Sequence, residues 1–302
     1  IPTTTESWVG EHRVAIKMVD VPTVGAGGGS LARIDSLGLL RVGPQSAGAD
    51  PGPAAYGKGE EAAVTDADLV LGYIPADYFL GGDVKLDVAR SHRAVEAIGN
   101  KLKMNADQTA QAMFTTINTV MANLITEVCT KKGLDVRDFT LVAGGGAGGS
   151  HAAAIARQLS IPMVIVPRVA ALMSAFGMFA KDLGLEYARS CFRTQRQLDF
   201  AEIDALYTDM RRQALDDFGR IGIAESQMAF QPTVEMRYVG QFHDVEVDLP
   251  AEELNAESLE ALLANFHSKY EKMYTYSMPW RDAEFHTFRL KATAARRPMK
   301  MA

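Results

Sequence analysis

Apolar and polar positions partly alternate over residues 13–21, Arg-Val-Ala-Ile-Lys-Met-Val-Asp-Val, and that alternation predicts a half-buried strand. A glycine loop, Thr23-Val24-Gly25-Ala26-Gly27-Gly28-Gly29-Ser30, follows at once. Residues 36–63 carry several Gly and Pro and read as a long ordered loop. Such loops are usually functional or interfacial. The pattern then turns helical. A short helix is expected from Asp66 to Leu71 with Thr65 as N-cap, and longer ones over 86–103 and 107–132. In the last, Ala110, Phe114, Ile117, Met121, Leu124, Ile125 and Val128 mark one apolar face, and Gly133 is the stop signal.

A strand–turn–helix unit comes next: strand 139–143, glycines 144–149, and a helix from Ser150 to about Leu159. Residues 163–166 form a buried strand, and 170–182 a helix. Strands alternating with helices indicate a mostly parallel α/β layer. Beyond about residue 190 the texture changes to a helix over 199–220, strands 233–239 and 242–249, a helix over 255–274 and a strand over 285–294. That order reads as a smaller α+β domain.

Composition narrows the function classes. The 302 residues are 47% apolar and carry a net charge of −6, so the chain can bury a sizeable core and has no basic surface for nucleic acid. No apolar run is long enough for a membrane helix. Cys129 and Cys191 are far apart and outside any CxxC pattern, which makes a cysteine-based zinc site or a disulfide framework unexpected and a reducing cytoplasm the default location.

The strongest local signal is Val142-Ala143-Gly144-Gly145-Gly146-Ala147-Gly148-Gly149-Ser150-His151. A strand feeding a glycine turn that opens a helix lets the backbone approach a ligand, and the helix start supplies free N–H groups. The same pattern also suits a tight turn with nothing bound. No Lys-Ser/Thr ending is present, so it is not a P-loop. For the Gly25–Ser30 loop taken alone, close packing against another element is the simpler reading.

Among the acids, Asp66 and Asp68 stand two apart and face different ways on a helix, with capping or solvation as the ordinary role. Asp50 lies in the Pro-Gly loop, where an Asx turn is usual, and Asp83 is a further acidic candidate. His151 is placed to exchange a hydrogen bond with a ligand or to pack against a loop, and His151→Ala is expected to weaken turnover more than folding. His243, His267 and His286 lack metal-ligand spacing.

Several stretches together resemble one family. They are Val24 to Ser30, Arg41-Val42-Gly43-Pro44-Gln45-Ser46-Ala47-Gly48-Ala49-Asp50-Pro51-Gly52-Pro53, Val64-Thr65-Asp66-Ala67-Asp68-Leu69-Val70-Leu71-Gly72, Phe79-Leu80-Gly81-Gly82, the 145–148 turn with His151-Ala152, and Arg237-Tyr238-Val239-Gly240-Gln241. They resemble the hydantoinase A/5-oxoprolinase family, which includes subunits of acetone and acetophenone carboxylases. Ala55 stands where members often carry Cys, and Glu60 and Ala63 replace a common glycine and proline.

The resemblance implies an α/β fold, the second lobe of an actin-like (ribonuclease H-like) ATPase, over 1–190, followed by a smaller α+β domain over 191–302. It implies ATP and Mg²⁺ as cofactors, with Gly145, Gly146 and Gly148 at the adenosine side of the cleft. Gly27, Gly28 and Gly29 would face phosphates or substrate, and His151 and Asp50 are the candidate catalytic side chains. It also implies that the phosphate-binding loops lie on a first lobe outside the matched segment, and that a hydantoinase B-like subunit completes the reaction on a small-molecule substrate. The chain alone is not expected to hydrolyse ATP. A non-catalytic scaffold that keeps the fold is the alternative.

Overall fold

The computed structural model describes residues 3–4, 7–9, 12–14, 18–179, 181–250 and 254–295. It divides into two compact units, residues 1–176 and 177–302. The boundary expected between residues 190 and 191 falls inside a strand of the second unit.

The first unit opens with four short strands: β1 (Thr3–Thr4), β2 (Ser7–Val9), β3 (His12–Val14) and β4 (Met18–Val19). Of the strand expected over 13–21, residues 13–14 belong to β3 and 18–19 to β4, and residues 15–17 lie outside the described residues. Next comes an antiparallel hairpin, β5 (Ser30–Ile34) and β6 (Leu40–Ser46). This corrects the reading of residues 36–63 as loop throughout. The hairpin turn is held by the Asp35 carboxylate, which accepts N–H bonds from Leu37 and Leu39 at 2.9 and 3.0 Å and pairs with Arg41. Those contacts hold the Asp35 carboxyl below its ordinary pKa, led by the Leu39 N–H and the Arg41 guanidinium.

Three helices cover the hairpin: α1 (Val64–Val70), α2 (Val88–Leu102) and α3 (Ala106–Lys131). Helix α1 is capped at Ala63, so Thr65 is a helical residue and not the N-cap. Asp66, three residues on, reaches back to the Ala63 N–H at 2.8 Å and does the capping instead. Helices α2 and α3 carry ordinary polar caps, Asp87 and Asn105, the latter in a reciprocal box with Gln108. Of the apolar stripe expected on α3, Ala110, Phe114 and Ile117 are buried, and Met121, Leu124, Ile125 and Val128 are half-buried. Ala110, Met113 and Ile117 pack with Val95 and Ile98 of α2 and Ala32 and Val42 of the hairpin, while buried Phe114 meets Tyr73 and His151.

The chain then runs β7 (Thr140–Val142), α4 (Gly148–Leu159) and β8 (Met163–Ile165), a parallel β–α–β unit with Leu141 opposite Val164. Among the described residues this is the one parallel pairing, so the layer is less parallel than the strand–helix alternation predicted. A single 3-10 turn (Ala170–Leu172) and α5 (Met173–Phe179) occupy the expected 170–182 helix.

The second unit is a four-stranded antiparallel sheet in the order β11-β10-β12-β9. It comprises β9 (Leu183–Thr194), β10 (Met228–Tyr238), β11 (Val245–Asp248) and β12 (Ala283–Ala294). Two amphipathic helices, α6 (Phe200–Arg220) and α7 (Ala256–Tyr274), bury Ile203, Met210, Phe218, Leu262 and Phe266 with the inward strand residues Val234, Met236, Tyr238, Phe285 and Phe288. The other sheet face carries ion pairs, Arg237–Glu284 at 2.9 Å and Arg289 between Glu186 and Glu235. The late motif Arg237–Gln241 therefore does structural service: Arg237 ties two strands and Tyr238 sits in the core. No helix among the described residues is long and apolar enough to cross a membrane.

Candidate functional site

The site is built where the two glycine loops of the first unit meet. The Gly25–Ser30 loop closes on itself, with the Gly27 N–H donating to Ser30 Oγ and the Ser30 N–H to Gly27 O, both at 3.0 Å. Thr65 then pins it from the start of α1, since its N–H and hydroxyl both donate to Gly28 O, at 2.8 and 2.9 Å. A Cβ at Gly28 would stand 2.8 Å from Thr65 Oγ1 and 3.7 Å from Ala147 Cβ. Only glycine lets the loop come this near, and Ala147 is the N-cap of α4. The two loops read separately from the sequence are therefore neighbours.

The second loop is open. A Cβ built at Gly145, Gly146, Gly148 or Gly149 would meet nothing within 4 Å, and the same holds at Gly27. Gly145 adopts φ +85°, the left-handed turn that bends the chain off β7, and its N–H is anchored to Ala170 O at 2.7 Å. Helix α4 starts at Gly148 without any side-chain cap. Its first-turn N–H groups and the positive end of its dipole thus face open space. A cleft of about 480 Å³ begins at Ser150 and runs between α3 and α4, with Tyr73, Phe114, Asn118 and Arg157 among its lining residues.

The two acids of α1 point to opposite sides, as their spacing requires. Asp66 is fully buried, so of the two ordinary roles it takes capping and not solvation. It accepts from the N–H groups of Ala54, Ala55 and Ala63 at 3.2, 2.7 and 2.8 Å and from the Ser91 hydroxyl at 2.6 Å. One carboxylate thus holds the Pro53-Ala54-Ala55 turn, the start of α1 and α2 together. Ala55, at the position where relatives by resemblance carry Cys, is part of this staple and 1% exposed. Burial raises the neighbouring Tyr56 phenol above its ordinary pKa, and the Asp66 charge adds to the shift.

Asp68, equally buried, faces α4. Its Oδ2 lies 3.3 Å from both Ser150 Oγ and His151 Nε2. His151 is buried beneath the bend, stacked on Phe114 at 5.0 Å, with Nδ1 at 2.8 Å from Asn118 Oδ1. Of the ligand-contact and packing roles open to it, the structure gives His151 the packed one. The expectation for His151→Ala changes with it. Removing the ring empties a fully buried place against Phe114 and takes away the Nδ1 contact to Asn118, and losing a buried, stacked ring costs about 3 kcal/mol or more. A melting midpoint lowered by about 10 °C is expected for His151→Ala, and an unchanged midpoint would contradict the packed role.

Asp50 stands apart from this assembly. Its carboxylate is exposed and pairs with Lys58 at 3.0 Å. Asp83 is exposed as well. Among the described residues no group of three or more His, Cys, Asp or Glu side chains is spaced to hold a metal ion. Sequence reasoning missed Thr65 and Asn118 as site residues. Thr65 adjoins a recognised motif, whereas Asn118 had no local signal.

Comparison with known proteins gives the family and fold of the chain. The hydantoinase/oxoprolinase family model matches residues 1–187, and the model of the hydantoinase/oxoprolinase C-terminal domain matches residues 192–291. The chain is 34% identical over 276 residues to caprolactamase subunit alpha of Pseudomonas jessenii, covering 89% of this chain and 39% of that one. Its structure superposes on a nucleotide-free acetone carboxylase with a TM-score of 0.84 at 28% identity, covering 94% of this chain and 42% of that one. It also matches the ATP-dependent caprolactamase of Pseudomonas jessenii with a TM-score of 0.65 at 32% identity, covering 98% and 44%. The chain thus spans about two fifths of the length of these proteins. The expected fold class holds, an α/β lobe of that ATPase type followed by a smaller α+β domain. With its family model matched from residue 1 to residue 187, this chain belongs to the hydantoinase/oxoprolinase family.

Proposed function

We propose that this chain forms one wall of an ATP site in an enzyme that phosphorylates the oxygen of a cyclic amide or an enolised ketone. Transfer of the γ-phosphoryl group turns that oxygen into a leaving group or traps the enol, and ring-amide hydrolysis or carboxylation follows. The observation that carries this reading is the uncapped start of α4 behind an open glycine bend, set against the Gly28 loop. Unclaimed N–H donors beside empty space suit the oxygens of a nucleotide, and the adjoining aromatic-walled cleft suits a flat base. Gly145, Gly146 and Gly148 take the nucleoside side, with Gly27, Gly28 and Gly29 toward the phosphates.

The opposite wall, with its phosphate-binding loops and the Mg²⁺ that neutralises phosphate charge, comes from a first lobe outside this chain. A hydantoinase B-like subunit completes the reaction on the small-molecule substrate. The relatives support this division, because a caprolactamase subunit alpha and an acetone carboxylase beta subunit both extend well beyond the matched region. Phosphoryl transfer depends on positioning and charge stabilisation, which one wall alone cannot supply.

The test is a titration of a non-hydrolysable ATP analogue into the chain alone and into the chain assembled with its first lobe. Assembly should tighten binding about 100-fold or more, because several charge-assisted bonds to phosphate are added. No binding in the assembled state would favour a scaffold that keeps the fold without the site. Given binding, ATP turnover with a lactam against turnover with a ketone assigns the substrate class.

A further inference from the structure

The two most exposed large apolar side chains among the described residues are Phe242, at 89%, and Trp280, at 83%. Both belong to the second unit. Tyr238 at the end of β10 pairs with Ala283 at the start of β12, so the chain leaving one strand runs beside the chain entering the other. On the leaving side, Tyr238 O accepts the Gln241 N–H at 2.9 Å across a turn whose Gly240 sits at φ +80°, and Phe242 follows. On the entering side, Met278 O accepts the Arg281 N–H at 3.0 Å across Pro279 and Trp280. Proline suits the second position of such a turn. Both turns are anchored. The Val239 N–H donates to Asp282 O at 3.0 Å. The Met278 N–H donates at 2.9 Å to the buried Tyr238 hydroxyl, which also lies 2.7 Å from His267 Nδ1. A Cβ at Gly240 would stand 3.0 Å from Arg281 Nη2, so the turns touch. The late motif Arg237–Gln241 thus builds a fixed platform with two aromatic rings in water.

A lone exposed leucine is ordinary, but two large rings on adjoining, anchored turns mark a contact surface. The backbone is ordered before any partner arrives, so binding there forfeits little conformational entropy. Arg281, beside Trp280, is exposed, and among the described residues no carboxylate pairs with its guanidinium. Tryptophan and arginine are the side chains that most often anchor protein interfaces. The complement of this end is an apolar pocket rimmed by carboxylates. A second copy of the chain fits it poorly. A two-fold contact centred on these turns would set Arg281 near its own copy, and both copies carry a net charge of −6. Relatives differ in how much protein they join to this segment. It makes up 39% of caprolactamase subunit alpha but 22% of 5-oxoprolinase 1 of Arabidopsis thaliana. The longer relative therefore carries on one chain a large part that the shorter one lacks, and such a part must be bound as a subunit where it is a separate chain.

We infer that the Phe242–Trp280 end of the second unit docks the hydantoinase B-like subunit. Trp280 fills an apolar pocket of that subunit, Phe242 packs at its edge, and Arg281 meets carboxylates at its rim. The choice of occupant rests on the partner reading proposed above, whereas the platform itself is independent of nucleotide binding.

The experiment is an isothermal titration of the purified hydantoinase B-like subunit into the chain assembled with its first lobe. Trp280→Ala should weaken binding about 30-fold or more, the scale of an interface anchor. Arg281→Glu should weaken it as well and flatten its dependence on salt. Both side chains stand in solvent, so the melting midpoints of these variants should stay within about 2 °C of wild type. Leu37→Ala, an equally exposed apolar truncation on the β5–β6 turn, should leave the affinity unchanged. The chain has two tryptophans, Trp8 and Trp280. With Trp8→Phe, emission from Trp280 alone should move to shorter wavelength as the subunit is added. Wild-type affinity in Trp280→Ala, or an unmoved emission on binding, overturns the docking surface and leaves the partner reading standing. A wild type that binds no such subunit overturns the partner reading and this choice of occupant together. Self-association of the chain that Trp280→Ala abolishes in sedimentation would make a second copy the occupant and overturns the proposal too.

Discussion

Replacing Asp66 with alanine should lower the melting midpoint by about 10 °C or more, the largest stability loss expected from a single polar substitution in the first unit. The carboxylate is fully buried and accepts four hydrogen bonds, three of them from backbone N–H groups. Each donor left without a partner away from water costs about 1–3 kcal/mol, and partial rehydration of the vacated space keeps the sum near about 4 kcal/mol. Asp66→Asn preserves the shape but turns an NH₂ toward N–H donors, so it should recover little. Calorimetry measures the midpoint, and hydrogen exchange at the amides of Ala54, Ala55 and Ala63 reports the staple directly. Slow exchange at those three amides in the alanine variant would show that something else holds the turn.

How much of this was legible in the sequence depends on how local each cause is. Helices α3, α6 and α7 follow from a 3.6-residue apolar period, which survives whatever packs on it. The hairpin β5–β6 did not follow, because Gly43 and Pro44 within its second strand read as loop residues. Strand β9 was missed as well. It is an edge strand with Glu186, Arg189 and Arg193 among inward Tyr187 and Cys191, and charges of that kind blur an alternating pattern.

The candidate site divides along the same line. Both glycine loops were visible, and so was the opposition of Asp66 and Asp68. That the loops adjoin was not, since the contact depends on Thr65 bonding twice to a carbonyl far away in the chain. For His151 the helix-start position was legible, but its burial between Asn118 and Asp68 comes from three helices meeting.

Gly146→Val should abolish or weaken nucleotide binding by tenfold or more in the assembled enzyme while moving the melting midpoint by less than about 2 °C. The separation of the two effects follows from the open bend. A Cβ at 146 would meet no heavy atom within 4 Å, and the residue lies outside the left-handed region, so valine enters without clash or backbone strain. What it changes is the empty side, where a branched side chain would stand between a ligand and the first-turn N–H groups of α4. Gly145→Val is the contrasting variant. Its φ of +85° suits glycine, and its N–H is tied to Ala170 O, so it should cost about 1–3 kcal/mol of stability before any ligand is added. Isothermal titration of an ATP analogue beside calorimetry of each variant separates the cases. If Gly146→Val binds nucleotide as tightly as wild type, no nucleotide crosses this bend, and the open glycines serve the turn alone.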